Sequence, residues 1–186
     1  MNQHVALITG GAKGIGRGIA LDLAARQWKI AVCYRTSDAE AKTTAQEITQ
    51  RGGQALVIRC DVSDPVAAKN MVTQVEKEWG RIDVLINGAG PYHRINLFDE
   101  TIEGWNDMFD GNLHPIFYLA QAVAPGMKAR KSGRIISFSM ANADQMEAQP
   151  DVTAHYIAKA GVLILTRTLA KLLAPYGITV NAISPG

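Results

Sequence analysis

Three glycines, Gly10, Gly14 and Gly16, punctuate the turn between a short apolar run, Val5–Ile8, and a stretch in which Ile19, Ala20, Leu23 and Ala24 recur at helical spacing. Glycine lets a backbone approach a ligand closely, and the exposed N–H groups at a helix start favour an anion. A strand, a glycine turn and a helix in that order therefore make a cradle for phosphate, and the chain reads as a nucleotide binder. A second group of reactive side chains lies further along, where His155, Tyr156 and Lys159 share a helical stretch. Positions four apart differ by about 40° around a helix and positions three apart by about 60° in the other sense, so both rings reach the lysine but cannot point the same way. A histidine has an ordinary pKa of about 6.5 and does acid–base work near neutral pH. A neighbouring lysine cation opposes its protonated form and pushes that value down.

What must position these groups is a regular alternation of elements. Apolar runs at Lys29–Tyr34, Gln54–Cys60, Ile82–Ile86, Arg134–Phe138 and Thr179–Ile183 read as further strands. Helical patterns fall at about 38–51, from Pro65 to Gly80 with Asp64 or Ser63 as the cap, at roughly 103–128, and at about 152–174. Strands apolar along their length, each followed by an amphipathic helix, predict a parallel sheet covered on both faces, a doubly wound α/β sheet. Ligands of such sheets bind beyond the carboxyl ends of the strands, so function is sought in the residues just after each one.

The composition, 186 residues with 47% apolar and 19% charged, is that of one soluble globular domain spanning 1–186. A formal charge of +2, from 19 basic and 17 acidic side chains with no basic block, gives no reason to expect nucleic acid or anionic lipid as a partner. Cys33 and Cys60 sit in apolar runs as buried thiols rather than a disulfide framework, which fits a reducing cytoplasm. The N-terminus carries no signal-peptide pattern, no apolar run approaches a membrane span, and no metal is expected.

The strand-end residues together resemble the short-chain dehydrogenase/reductase family, over essentially the whole chain. The segment TGGAKGIG at Thr9–Gly16 is similar to that family's cofactor loop, Asp61-Val62 to its adenine-contacting pair, and Asn87-Gly88-Ala89-Gly90 to its N-N-A-G segment with the second Asn replaced. Asn112 in GNLHPIF matches the Asn in the bent middle of the fourth helix, and GRIISF at Gly133–Phe138, Lys159-Ala160-Gly161 and GITVNAISPG at Gly177–Gly186 complete the match. The resemblance implies a Rossmann fold, a small-molecule substrate and a nicotinamide cofactor. That cofactor would be held by Gly10, Lys13, Gly14, Ile15 and Gly16, by Asp61 and Val62, by Asn87, Ala89 and Gly90, and by Lys159, Pro185 and Gly186. Read alone, Asp61 is a capping or turn residue, Asn87 the holder of a turn and Asn112 a solvated helix residue, although Gly111 beside it makes a bend plausible. Family chains usually continue past the Pro-Gly pair with a substrate-covering loop, further helices and a seventh strand. The expectation is that this chain stops short of those parts, and that the complete chain forms a homo-oligomer.

An acidic residue at the end of the second strand would accept hydrogen bonds from a ribose 2′-hydroxyl and repel a 2′-phosphate, but none stands at Tyr34, Arg35 or Thr36. Arg35 offers a guanidinium suited to phosphate and Lys13 a second cation, which predicts NADP(H) in preference to NAD(H), with Asp38 close enough to complicate the choice; the alternative is that both are solvated surface cations.

The family's chemistry normally uses a tyrosine hydroxyl as acid or base, a lysine four residues later that holds the nicotinamide ribose, and a serine that positions the carbonyl oxygen. Counting back four from Lys159 reaches His155, not Tyr156, and the register of GRIISF puts Met140 in the serine's place, beside Ser139 whose side chain points to the opposite face. His155 then takes the tyrosine's direction as proton donor, with Tyr156, roughly 100° away, as the fallback. Met140 gives no hydrogen bond to a developing oxyanion, a loss on the order of 10²–10³ in rate. Asn142 and Asp144 either fold back toward the carbonyl or are plain turn residues. The function expected is an NADPH-dependent oxidoreductase acting on a carbonyl or C=N bond, 3-oxoacyl- or pteridine-reductase-like, in which His155, a bound water or the substrate handles the proton. The alternative is a catalytically impaired cofactor-binding protein acting as sensor, partner or structural subunit.

Overall fold

Val5–Thr9 is buried along its whole length and forms β1 at the centre of the computed structural model, which describes residues 3–185. β2 (Lys29–Tyr34) and β3 (Gln54–Arg59) extend the sheet on one side, and β4 (Val84–Asn87), β5 (Gly133–Phe138) and β6 (Ile178–Ile183) on the other. The order is β3-β2-β1-β4-β5-β6 and all pairings are parallel, so this is the doubly wound α/β sheet that the apolar runs predict. The chain leaves β1 for β2 and β3 on one side and crosses back to β4 on the other, and a crevice opens where the two halves part.

Helices cover both faces because each face is apolar. Leu7, Leu85 and Ile135 pack against Val72 and Val75 of α3 (Pro65–Trp79) and Leu119, Val123 and Met127 of α5 (His114–Arg130). Ile8, Ile30, Val32 and Ile86 pack against Ala20 and Ala24 of α1 (Gly14–Ala25) and Ile48 of α2 (Asp38–Gln50). α3 begins where Asp64 accepts hydrogen bonds from the amides of Val66 and Ala67, with Pro65 in its first turn, and ends at Gly80, whose φ of 79° a side chain would resist. Among the described residues no helix is long and apolar enough to cross a membrane.

The sequence pattern predicts one helical region over 103–128, and the structure divides it. α4 (Ile102–Asn112) ends at Leu113 and α5 starts at His114, because Pro115 has no N–H to continue the ladder. Asn112 sits at the break, and its side-chain amide reaches back to the Met108 carbonyl at 3.0 Å. α6 (Thr153–Leu173) runs beside β6 and α4 and brings its first two turns to the carboxyl end of β5.

Candidate active site

Register sets the floor of the crevice. Thr9 pairs with Cys33 and with Asn87, and Asn87 with Ser137, so the residues that follow β1, β2, β4 and β5 emerge at one level. Between them runs a cleft of about 570 Å³. Glycines let its walls close up: Gly10 has φ +66°, and a Cβ there would stand 2.7 Å from the Gly88 carbonyl oxygen, while one on Gly16 would overlap the Gly10 carbonyl. Thr9 ties the wall together, its hydroxyl accepting from the amides of Gly88 at 3.1 Å and Ala89 at 3.2 Å. α1 starts at Gly14 with no side-chain cap at Lys13 and no acidic residue in its first turn, so its positive end meets the cleft unneutralised. Gly10, Gly14, Ile15 and Gly16 line this part of the cleft.

The outer end lies beyond β2 and β3, where Arg35, Asp61 and Val62 line the cleft. Asp61 is tied into its turn by the Ser63 amide at 3.0 Å and hydroxyl at 2.7 Å, and faces Arg35 at 3.6 Å; the Arg35 side chain remains 64% exposed. Lys13 also lines the cleft, and its exposed amine pairs with Glu40 at 2.9 Å. Asp38, the carboxylate that would complicate cofactor choice, is taken by the Tyr34 hydroxyl at 2.6 Å and Lys42 at 2.7 Å; hydrogen bonds from Lys42 and Tyr34 hold it below the usual carboxylate range.

The inner end is bounded by Gly90, Pro91, Phe138, Ser139 and Pro185. Ala89 lines it too, whereas Asn87 lies beneath, donating to the Ser137 hydroxyl at 3.1 Å across β4 and β5. Gly186 lies outside the described residues. Just behind this rim, Lys159 donates from Nζ to the Phe138 carbonyl at 2.8 Å, and Nζ is 3.7 Å from the point a Cβ on Gly90 would occupy. Burial pushes its pKa down to about 8. Asn112 uses Nδ2 on the Pro91 and Met108 carbonyls, and its buried Oδ1, which has no partner, lies against Gly90. Lys159 and Asn112 thus converge on the same glycine.

His155 is 8% exposed and sits edge-on to Tyr92, ring centroids 5.0 Å apart, with Nδ1 buried and unpartnered. Burial first, and the Lys159 charge second, hold its pKa down at about 4, against an opposing hydrogen bond with the Pro91 backbone. At neutral pH it is therefore an uncharged imidazole. Tyr156, the fallback proton donor, is engaged elsewhere: its hydroxyl donates to the Asn142 carbonyl and accepts from the Glu147 amide at 3.1 Å, clasping the loop after β5. Its direction follows from its position next to His155, which turns it away from the lysine. Ser139 donates to the Lys159 backbone carbonyl at 2.8 Å, and Asn142 and Asp144 are exposed turn residues.

The segment after β4 supplies parts that the sequence reading does not single out. Pro91 offers its carbonyl to Asn112, and Tyr92 walls His155. Further along, Ile95 and Leu97 donate from their amides to the carbonyls of Asp151 at 2.8 Å and Pro150 at 2.9 Å, strapping the segment to the start of α6. Their one signal is their place directly after a strand, where ligand-facing residues of such sheets collect.

Comparison with known proteins gives a consistent answer. Residues 4–186 match the family model described as short chain dehydrogenase. A 3-oxoacyl-[acyl-carrier-protein] reductase from Synechocystis sp. is 37% identical over 186 residues, covering 100% of this chain and 74% of that protein. Its counterpart from Staphylococcus epidermidis is 38% identical over 192 residues, covering 100% and 75%. Among solved structures, a short-chain type dehydrogenase/reductase from Mycobacterium marinum superposes with a TM-score of 0.92 at 36% identity, over 98% of this chain and 74% of that one. An NAD+-bound xylitol dehydrogenase does so with a TM-score of 0.92 at 30% identity, over 100% and 70%.

Proposed function

The chain belongs to the short chain dehydrogenase family, and on that premise we propose that it is an NADP(H)-dependent oxidoreductase that reduces a carbonyl or C=N bond. The observation that carries this reading is the cleft itself, walled by glycines at one end and closed at the other by a lysine amine and an asparagine oxygen converging on Gly90. A nicotinamide dinucleotide, when bound, supplies the hydride. The residues present suit it: unneutralised amides of α1 and the closely approaching backbone of Gly10 and Gly16 for the pyrophosphate, Asp61 and Val62 for the adenine, and Lys159 for the nicotinamide ribose. Arg35 favours NADP(H), since its guanidinium is exposed at the outer end while Asp38 is engaged by Tyr34 and Lys42.

The relatives' name makes 3-oxoacyl thioesters the first substrate class to try, with quinones, simple ketones and dihydropteridines beside them. Single-turnover oxidation of NADPH against this panel, together with dissociation constants for NADPH and NADH, tests the reading. Equal affinity for the two cofactors would remove the NADP(H) preference. A second reading, a cofactor-binding protein without turnover, is favoured by Met140 and the uncharged His155 at the two altered positions. Tight NADPH binding with no oxidation by any class would select it. Two further parts of the proposal concern setting. The two buried free thiols suit a reducing cytoplasm, and exposed Phe117 on α5 with Ile164 and Leu172 on α6 suits assembly with further copies.

A further inference from the structure

Hydride addition to a carbonyl leaves an alkoxide that must acquire a proton, and the two hydroxyls that usually manage this are replaced here by Met140 and His155. We infer that the Lys159 ammonium, which the cofactor reading uses only as a ribose ligand, is itself the proton donor to the substrate oxygen. The inference rests on the proposed reductase activity and adds a second role for one of its residues.

Donor accounting leads there. An ammonium carries three N–H groups; Nζ gives one to the Phe138 carbonyl, which leaves one for a ribose hydroxyl and one for a substrate oxygen. Nζ stands at the inner end of the cleft: it bonds to the carbonyl of Phe138 and lies 3.7 Å from the point a Cβ on Gly90 would occupy, and both of those residues line the cleft. Other candidates are excluded by their bonds. Both N–H groups of Asn112 serve the Met108 and Pro91 carbonyls, the Tyr156 hydroxyl is bound to the loop after β5, and Ser139 donates to a backbone carbonyl of α6.

The titratable neighbour is His155 on the same helix, itself faced by Tyr92 and His93 of the segment after β4; α4 contributes the neutral Asn112, and β5 and the residue after it the Phe138 carbonyl and Ser139. Among the described residues no carboxylate forms an ion pair with Lys159, and burial alone makes it a stronger acid than an ordinary lysine, with a pKa of about 8. At pH 7 most of it is still charged, which is the condition a general acid needs. A reduced nicotinamide, when bound, would supply a hydride to the carbonyl carbon and so leave the π pair on the oxygen. That oxygen takes one proton from Nζ, leaving a neutral amine that solvent reprotonates.

The test has two readouts on the full chain. Without cofactor, acylation of Lys159 by an amine-selective reagent, followed by mass spectrometry across pH, should reach its half-maximal rate near pH 8. With NADPH and an acetoacetyl thioester, a quinone or a dihydropteridine, the single-turnover rate should fall about tenfold per pH unit above that value. Lys159→Arg keeps a cation for the ribose but does not release a proton in this range, so the rate should fall at least about 100-fold and the alkaline limb disappear. His155→Leu should leave a limb near pH 8. A labelling midpoint at or above about 10, or an alkaline limb that survives in Lys159→Arg, overturns the inference. So does a limb that lies between about pH 4 and 6.5 and vanishes in His155→Leu, which returns the role to the imidazole. Turnover by the parent with a flat profile overturns this inference alone; absence of turnover with every substrate overturns the reductase reading with it.

Discussion

Replacing His155 with leucine, a side chain of similar volume, should change how the fold tolerates acid. The imidazole is 8% exposed and its pKa is lowered from 6.5 to about 4. Because the folded value lies below the unfolded one, an unfolded chain takes up the proton first as pH falls. The neutral ring's contribution is fully present above about pH 6.5, declines through the interval and is exhausted below about pH 4. At pH 5 the unfolded ring is almost wholly charged and the folded ring almost wholly neutral, which costs about 2 kcal/mol relative to pH 7.5. For a chain of this size that is a fall of roughly 4–8 °C in melting temperature. Carboxylates such as Asp38 and Asp61 also lose their partners in acid, but they are common to parent and variant and cancel in the difference. The assay is urea unfolding of both proteins at pH 7.5 and pH 5, comparing the acid-induced loss in each. His155→Leu should lose about 2 kcal/mol less than the parent, whatever its stability at pH 7.5. Equal losses would mean that the imidazole charges as easily inside the fold as outside it, and the picture of a neutral ring beside a lysine cation would fail.

Three other changes probe the cleft. Gly16→Ala places a methyl group into the Gly10 carbonyl, so the turn must open; the NADPH dissociation constant should rise at least about tenfold in a fluorescence titration. Arg35→Gln removes a charge-assisted contact of about 1.5–3 kcal/mol with a 2′-phosphate, weakening NADPH roughly 10–100-fold while leaving NADH near its parent value. Tyr156→Phe frees the Asn142 carbonyl and the Glu147 amide, which should cost about 1–2 kcal/mol in urea unfolding and speed proteolytic cleavage within 142–147, with NADPH affinity unchanged.

The sheet was legible because its signals are local. Buried parallel strands need a near-continuous apolar run, as Val5–Ile8 has, and α3 advertises its ends with Asp64, Pro65 and Gly80. The glycine turn was legible for the same reason, since Gly10 and Gly16 are required by contacts within their own strand–turn–helix unit and with the neighbouring strand end. What the sequence did not disclose are bonds in which a side chain meets a distant backbone carbonyl. Nothing about Tyr156 specifies that its hydroxyl will close the 142–147 loop, and nothing about Asn112 specifies that its amide will reach the Pro91 carbonyl. The break before α5 had a visible cause in Pro115, but a missing N–H is tolerated inside α5 itself at Pro125, so position alone could not decide it.

On the proposed reading, Met140 and His155 stand where the family's two hydroxyls are expected, and Lys159 follows His155 by four residues. A tyrosine hydroxyl at His155, and a serine hydroxyl at Met140 one residue past the cleft-lining Ser139, would each add a polar group to this region. In their absence the ammonium of Lys159 is left with one carbonyl and little water. An ion so poorly solvated loses its proton more readily, and its lowered pKa has burial as its sole cause. His155 responds in the same direction, since burial first and the Lys159 cation second disfavour a second charge. If Lys159 is the acid, the missing hydroxyls and the acidity of the amine belong together, and the neutral imidazole beside it avoids adding a competing cation. It follows that restoring the hydroxyls by M140S and H155Y should raise the pKa of Lys159 as well as the rate. The acylation midpoint of the double variant should move up from about 8 toward the ordinary lysine value of about 10.4. A midpoint that stays in place would show that the surrounding fold, not these two side chains, sets the acidity of the amine.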